Sequence, residues 1–269
     1  MIRAVLVGAT GRMGQAIIAA AHDSAGIAIT AAVASRHSTC IGRDAGELAG
    51  GKHLGVRVSN ALREVLSAAD VVIDFSTASA TEEHLAACRA AKKPLLVGTT
   101  EHSAAQQKSF AAASLEIPLL VAPNTSLAVT LLLELARQAA LALPFDFDIE
   151  IIEAHHRAKS DAPSGTALAL GQAVAQARAQ ELAEVGVMNG RRDTLRRSGD
   201  IGFAVVRGGD LIGEHSVLYA GPGESLTLTH RATDRGIFAR GALNAAVWLS
   251  SQPHGLYSMR DIFLYKTGS

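Results

Sequence analysis

MIRAVLVGATGRMGQAIIAAAH, residues 1–22, decides how the fold is read. Met1 to Gly8 is a β-branched apolar run of the kind that lies inside a parallel sheet, and Gly8, Gly11 and Gly14 lead directly into the helical QAIIAAAH. Strand, glycine turn and helix in this order point to a dinucleotide-binding unit. Missing Cβ atoms let the backbone approach a pyrophosphate, and the helix start favours its negative charge. The spacing is GxxGxxG, one residue wider in the turn than GxGxxG, and a tight turn in any α/β protein is the competing reading.

Working outward, Ile27 to Ser35 is expected as a second strand, at the distance where such folds place a ribose-reading side chain. No acid ends it. A hydroxyl at Ser35 and a guanidinium at Arg36 suit a 2′-phosphate, so NADPH is expected over NADH; a solvated loop cation is the alternative for Arg36. Cys40 to Asn60 reads as loop, Leu62 to Ala69 as helix and Val71 to Phe75 as a buried strand, with Ser76-Thr77 capping the next helix. Helix Thr81 to Ala91, strand Pro94 to Val97, helix Ser103 to Ala113 and strand Ile117 to Ala122 continue the alternation. Alternating strands and helices predict a parallel sheet whose ligands lie beyond the strands' carboxyl ends. That places Asp74-Phe75-Ser76, Gly98-Thr99-Thr100 and Ala122-Pro123-Asn124-Thr125 on a rim facing the cofactor.

Composition narrows the partners. At 269 residues, 48% hydrophobic and 4% aromatic, the chain suits one large or two modest globular domains. Lys+Arg and Asp+Glu both number 25, so no net field draws it to nucleic acid or to an anionic membrane, and neither is expected as a partner. Cys40 and Cys88 match neither a disulfide framework nor a zinc pattern and are expected to be small buried apolar side chains in a reducing cytosol. Met1 runs straight into the first strand without a leader pattern, and apolar runs such as Leu127 to Leu135 are too short for a bilayer. A cytoplasmic location is therefore expected.

Composition shifts near Ser126. Leu127 to Ala142 is a long apolar helix, and Asp148 to Ala154 alternates as a strand leading into IIEAHHRAKSDAPSGTALAL, residues 151–170. That stretch gathers His155, His156, Lys159 and Asp161 before Pro163-Ser164-Gly165-Thr166 opens an Ala-rich helix, Thr166 to Glu184. Ser164 as the cap would leave backbone N–H groups directed at an anion. Arg191 to Asp200 reads as a solvated basic loop. Ile201 to Val206, Leu211 to Tyr219 and Ser225 to Arg231 read as an antiparallel meander, whose exposed edges favour association with other copies. Gly236 to Leu249 is a helix, and Met259 to Leu264 an amphipathic piece returning to the first domain. The expected architecture is α/β: a Rossmann-like parallel-sheet domain over 1–126 and 237–269, plus a smaller α+β substrate-binding and oligomerisation domain over 127–236 with a mixed or antiparallel sheet.

A nicotinamide domain followed by imidazoles, an ammonium and a helix start suggests hydride transfer to a small carboxylated acceptor. An imidazole such as His155 exchanges protons near neutral pH, and Lys159 can donate a proton or stabilise developing charge. Ordinary packing is the competing reading for adjacent histidines. A metal site of Glu153, His155, His156 and Asp161 is disfavoured: adjacent strand residues face opposite ways, HExxH spacing is missing, and Lys159 would repel a cation. A cysteine-dependent aldehyde dehydrogenase fails because neither Cys40 nor Cys88 lies on a substrate loop.

GATGRMG, VVIDFS, GTT, APNTS, EAHHRAKSDAPSGTAL, IGFAVVRGGDLIGEH and RGALNAAVWLS…GLYSMRDIF, in this order, closely resemble the 4-hydroxy-tetrahydrodipicolinate reductase family almost end to end. The EAHHxxKxDAPSGTA block is the most specific part. The resemblance implies NADPH- or NADH-dependent reduction of a cyclic dicarboxylate, with loss of water, on the diaminopimelate and lysine pathway. It implies His155 as proton donor or acceptor, Lys159 as second proton donor, and His156, Gly165 and Thr166 as substrate ligands beside the Ser164 cap. It also implies cofactor contacts from Gly8, Ala9, Thr10, Gly11, Arg12, Met13, Gly98, Thr99, Thr100, Ala122, Pro123, Asn124 and Thr125, and a homotetramer joined through the second domain's sheet. Two places depart from the family pattern. Ala34-Ser35 before Arg36 replaces a Glu-Arg pair of some members, and Glu101-His102 stands where a Gly-aromatic pair is common. A reductase of another imine or carbonyl acid and a non-catalytic nucleotide sensor remain the rival readings.

Overall fold

The computed structural model describes residues 1–188, 195–234 and 236–264. The chain divides into two compact units, Met1–Ser126 with Gly236–Ser269, and Leu127–Arg235.

The first unit begins with β1 (Ile2–Val7), α1 (Arg12–His22) and β2 (Ile27–Val33). Next come α2 (Ala45–Leu48), β3 (Val58–Ser59), α3 (Leu62–Val65) running into a 3₁₀ turn, and β4 (Val71–Asp74). Helices α4 (Ala78–Ala91) and α5 (Ala104–Ala113) alternate with β5 (Leu95–Val97) and β6 (Pro118–Val121). The second unit holds α6 (Leu127–Ala142), β7 (Asp148–His155), α7 (Gly165–Ala177), α8 (Leu182–Val185), β8 (Gly186–Val187), β9 (Ile201–Arg207), β10 (Gly213–Gly221) and β11 (Glu224–Ala232). The chain then returns to the first unit as α9 (Gly236–Leu249), β12 (Gly255–Tyr257) and α10 (Asp261–Leu264).

The first unit's sheet runs β12-β6-β5-β4-β1-β2-β3, every pairing parallel. Its central strands are apolar on both faces, as helix-covered parallel strands must be: Val71 to Asp74 and Leu95 to Val97 are buried throughout. Val5, Val7, Val72, Leu95, Val97, Leu119 and the helix residues Leu85 and Phe110 share one core. Two short elements interrupt the expected loop over Cys40 to Asn60. Asp44 caps α2 by accepting the Gly46 and Glu47 N–H groups, and β3 extends the sheet beside β2. Thr77 occupies the cap of α4 without bonding its N–H groups, its hydroxyl meeting Ser79 Oγ at 3.0 Å instead. Cys88 is buried, whereas Cys40 is half-buried.

The second unit's sheet is mixed and runs β11-β10-β7-β9-β8. The expected three-stranded meander is not what forms. Only β10 and β11 make an antiparallel hairpin, and β9 pairs parallel with β7, Ile149 opposite Ile201 and His155 opposite Arg207. Strand β7 becomes central because its Ile149 and Ile151 enter the core with Val217, Phe203 and the α6 and α7 side chains. The Ala-rich helix also ends earlier than Glu184: α7 stops at Ala177, Ala179 takes a left-handed φ of 55°, and α8 is separate. Among the described residues the opposite sheet face has no helix on it. Ile152 aligns with Ala204 on one side and with Ser216 and then Thr229 on the other, and Ile152 and Val206 are 37% and 49% exposed. Part of the expected basic loop, residues 191–194, lies outside the described residues.

Candidate active site

Alternation along β7 puts Glu153 and His155 on one face, two residues apart. Glu153 is 1% exposed and its carboxylate is saturated with donors. His155 Nδ1 lies 2.6 Å from Oε2, the two terminal Arg207 nitrogens donate at 2.7 Å to Oε2 and Oε1, and the Ser164 N–H donates to Oε1 at 3.0 Å. Burial opposes ionisation of Glu153, but the Arg207, His155 and Ser164 bonds together outweigh it and hold the carboxyl below its ordinary value. Arg207 reaches further, donating to the Asp161 carbonyl at 2.6 Å and the Lys159 carbonyl at 3.3 Å. One guanidinium therefore joins the carboxylate behind His155 to the loop that carries Lys159.

On that loop Lys159 Nζ donates at 2.8 Å to both Asp161 oxygens, and this bond is the main reason the Asp161 carboxyl lies below its ordinary value. The pair is partly exposed, so an incoming carboxylate can compete with Asp161 for the ammonium. His156, next along the strand's end, is half-buried where His155 is buried. Ser164 caps α7 by accepting the Ala167 N–H at 3.2 Å, but its hydroxyl and N–H are both engaged inward, on His215 Nε2 at 2.9 Å and on Glu153. The outward part of the helix start is Gly165 and Thr166. A Cβ at Gly165 would meet nothing within 4 Å, which leaves room for an anion at this helix start. His215 is buried, and burial, reinforced by the neighbouring His155, pushes it down to about 4, so its ring is neutral at physiological pH. The His155 and His215 rings meet edge to face at 5.0 Å.

In the first unit, the turn residues of the sequence reading gather at the carboxyl ends of adjacent strands. Gly8 to Met13 follow β1, Ser35 and Arg36 follow β2, Gly98 to Thr100 follow β5, and Ala122 to Thr125 follow β6. Each glycine of the first turn has its own reason. Gly8 has φ +80°, and Gly14 packs its helix onto the Gly8 carbonyl and Ala9 backbone, whereas a Cβ at Gly11 would approach only Gly8 O, at 3.3 Å. Gly11 is the N-cap of α1 and no side chain bonds the helix's first N–H groups, an arrangement that fits a pyrophosphate. Asp74, wholly buried at the end of β4, accepts the Ser76 N–H at 2.9 Å and pairs with His84 Nδ1 at 2.9 Å, which shapes the neighbouring turn. Gly98 lies against the Phe75 ring, Thr99 Oγ1 meets Thr81 Oγ1 at 3.2 Å, and Thr125 Oγ1 donates to Phe238 O at 2.7 Å. Arg36 Nε meets His37 Nε2 at 3.1 Å on the exposed end of its loop.

Models of the dihydrodipicolinate reductase N-terminus and C-terminus match residues 2–125 and 128–263. The chain belongs to the dihydrodipicolinate reductase family. It is 49% identical over 261 residues to the 4-hydroxy-tetrahydrodipicolinate reductase of Alkalilimnicola ehrlichii, covering 97% of this chain and 98% of the relative. It is 46% identical over 266 residues to the enzyme of that name from Magnetococcus marinus, covering 98% and 99%. A dipicolinate-bound dihydrodipicolinate reductase from Paenisporosarcina sp. TG-14 superposes with a TM-score of 0.79 at 26% identity, covering 97% of this chain and 99% of that one. As a member, the reductase is an NAD(P)H-dependent oxidoreductase. It reduces 4-hydroxy-tetrahydrodipicolinate to tetrahydrodipicolinate with loss of water, in diaminopimelate and lysine biosynthesis.

The sequence by itself brings His155, His156, Lys159, Gly165 and Thr166 together on one segment. Sequence reasoning missed Arg207 and His215, which arrive from β9 and β10, and it weighed Glu153 only as a metal ligand. The i, i+2 spacing of Glu153 and His155 on an alternating strand was the available signal for a carboxylate–imidazole pair. Nothing local announces Arg207 or His215, which lie 54 and 51 positions away from Glu153 and Ser164.

Proposed function

We propose that His155 and Lys159 perform the proton chemistry of this reduction and that the start of α7 holds a substrate carboxylate. The observation that carries the reading is the Glu153–His155 pair, joined through Arg207 to the loop that carries Lys159, together with the exposed start of α7 at Gly165. The nicotinamide, when bound, supplies the hydride. Adding a hydride and expelling water requires protons to be delivered, which falls to His155 through Nε2 and to Lys159. His156 and Thr166 complete the substrate's polar surroundings. The second unit, over 127–236, is the substrate-binding and oligomerisation domain, and residues 1–126 with 237–269 form the dinucleotide domain. There Gly8 to Met13 take the pyrophosphate, and Gly98 to Thr100 with Ala122 to Thr125 take the nicotinamide half. Ser35 and Arg36 favour the 2′-phosphate of NADPH. The uncovered sheet face around Ile152, Ala204 and Val206 supports association of second units into a homotetramer. Among the described residues no helix is long and apolar enough to cross a membrane; we place the reductase in the cytoplasm.

The test follows nucleotide oxidation with the condensation product of pyruvate and aspartate semialdehyde. His155→Ala and Lys159→Ala should each lower turnover by at least ~100-fold, the scale of a lost acid–base group. Near-parental turnover in both variants removes these roles.

A further inference from the structure

The His155 ring has two nitrogens in contrasting surroundings. Nδ1 lies against a buried carboxylate that Arg207 and the Ser164 N–H hold from the other side. Nε2 has no partner among the described residues, and β10 passes it at a glycine: a Cβ at Gly213 would stand 3.0 Å from Nε2 and 3.3 Å from Cδ2. Gly213 does not have a left-handed φ, and it pairs regularly with Ala232, so its backbone would accept alanine. The side chain is missing where a methyl group would have to displace the ring or seal its free nitrogen. Around the ring and its carboxylate stand neutral His215 from β10 and Arg207 from β9, and Arg207 also bonds the backbone carbonyls of Lys159 and Asp161 on the following loop.

We propose that Glu153 and Arg207 are positioning residues that keep His155 in the tautomer with its Nδ1 proton on Glu153, and that Gly213 keeps Nε2 open as the atom through which the proton passes. The inference rests on the proton role proposed for His155. An imidazolium that gives its Nε2 proton to substrate is left with hydrogen on Nδ1, the neutral form that Glu153 accepts. No rotation or second transfer is then needed before reprotonation.

Glu153→Gln tests this sharply, because either placement of the amide meets donors. An amide nitrogen toward Oε1's position would face the Ser164 N–H and Arg207, neither of which can give up its proton. Toward Oε2's position it would face Arg207 and His155, and the imidazole can respond by moving its proton to Nε2. The wrong tautomer is therefore the expected result. It should cost ~100-fold or more in kcat, a part of the ~10⁴-fold lost when a triad carboxylate becomes an amide. Gly213→Ala should lose at least ~10-fold in kcat/KM without loss of thermal stability. Arg207→Lys, offering one point charge in place of a fork, should lose ~10-fold as well.

The experiment measures turnover, cofactor affinity and thermal unfolding of each full-length variant, with ¹⁵N spectra of labelled histidine to read the tautomer directly. The parent ring should carry hydrogen on Nδ1 in its neutral form and the Glu153→Gln ring on Nε2, and Glu153→Gln should cost nothing further in a His155→Ala background. A parent ring with hydrogen on Nε2, or Glu153→Gln and Gly213→Ala both turning over within threefold of the parent, overturns the inference. If Glu153→Gln does not fold, the parent tautomer and Gly213→Ala decide. If His155→Ala itself is near-parental, it is the proton role of His155 that has failed, which these readouts separate from a failure of its positioning.

Discussion

His215 couples the stability of the second unit to pH, and the size of the coupling follows from its surroundings. The ring is 5% exposed, and burial, with the adjacent His155, pushes its pKa from 6.5 down to about 4. Between these values the unfolded chain binds a proton that the folded chain does not, so folding is favoured less as pH falls. The contribution is intact above pH 6.5, declines across the window and is gone below about pH 4. At 1.36 kcal/mol per pH unit the full interval from 6.5 to about 4 amounts to roughly 3 kcal/mol. Restricting the measurement to pH 5.0–6.5 avoids carboxylate titration and captures roughly 2 kcal/mol of it. The perturbation is His215→Gln, whose amide can still meet the Ser164 hydroxyl but cannot titrate. The assay is hydrogen exchange of the β10 amides under native conditions, which reports the opening free energy of this unit by itself. The parent should lose roughly 2 kcal/mol of protection between pH 6.5 and 5.0 relative to the glutamine variant. His230, also depressed by burial, is present in both proteins and cancels. Parallel pH dependences in parent and variant would refute the reasoning.

Three further outcomes are expected. Arg36→Ala should weaken NADPH binding by roughly tenfold or more and leave NADH within about twofold, read from fluorescence titrations with both nucleotides, because only the 2′-phosphate needs the guanidinium. Gly14→Ala would place a Cβ 2.7 Å from Ala9 Cα and against the Gly8 carbonyl, so it should destabilise the first unit by about 2–4 kcal/mol; Gly11→Ala, whose Cβ approaches only Gly8 O at 3.3 Å, should cost less, about 1 kcal/mol as an N-cap change, while reducing nucleotide affinity. Lys92 ends α4 with a left-handed φ of 52°, and its ion pair with Glu116 at 3.0 Å is exposed. Lys92→Gly should therefore stabilise by about 0.5–1 kcal/mol in denaturant unfolding, relief of the left-handed strain exceeding the added flexibility of the unfolded chain.

The parts of the fold that were readable in the sequence are those written in neighbouring residues. The β1 turn and α1, the buried strands Val71 to Asp74 and Leu95 to Val97, and the limits of α6 and α9 follow from periodicity and glycine placement. The second sheet was less readable, because β9 finds β7 across the intervening helix α7 and nothing in residues 201–207 declares a parallel partner. Strand β12 escaped for a related reason: three residues, Gly255 to Tyr257, acquire strand identity only by lying beside β6. The site divides the same way. His155, Lys159 and the α7 start are contiguous and stood out, whereas Arg207 and His215 become part of it only when β9 and β10 flank β7.

The division of the chain into units also orders its birth on the ribosome. Helix α9 lies against α1, β4 and β5, and β12 pairs with β6, so the first unit cannot be finished until residues beyond 235 have emerged. The segment from Leu127 to Arg235, by contrast, contains all five strands of its own sheet and both helices that cover it. The part of the enzyme made first must therefore wait, with the β6 edge unpaired and the ground under α9 on its sheet bare, while the inserted unit is synthesised and becomes free to fold. The nascent amino-terminal segment, rather than the later inserted one, is the stretch that needs protection during synthesis.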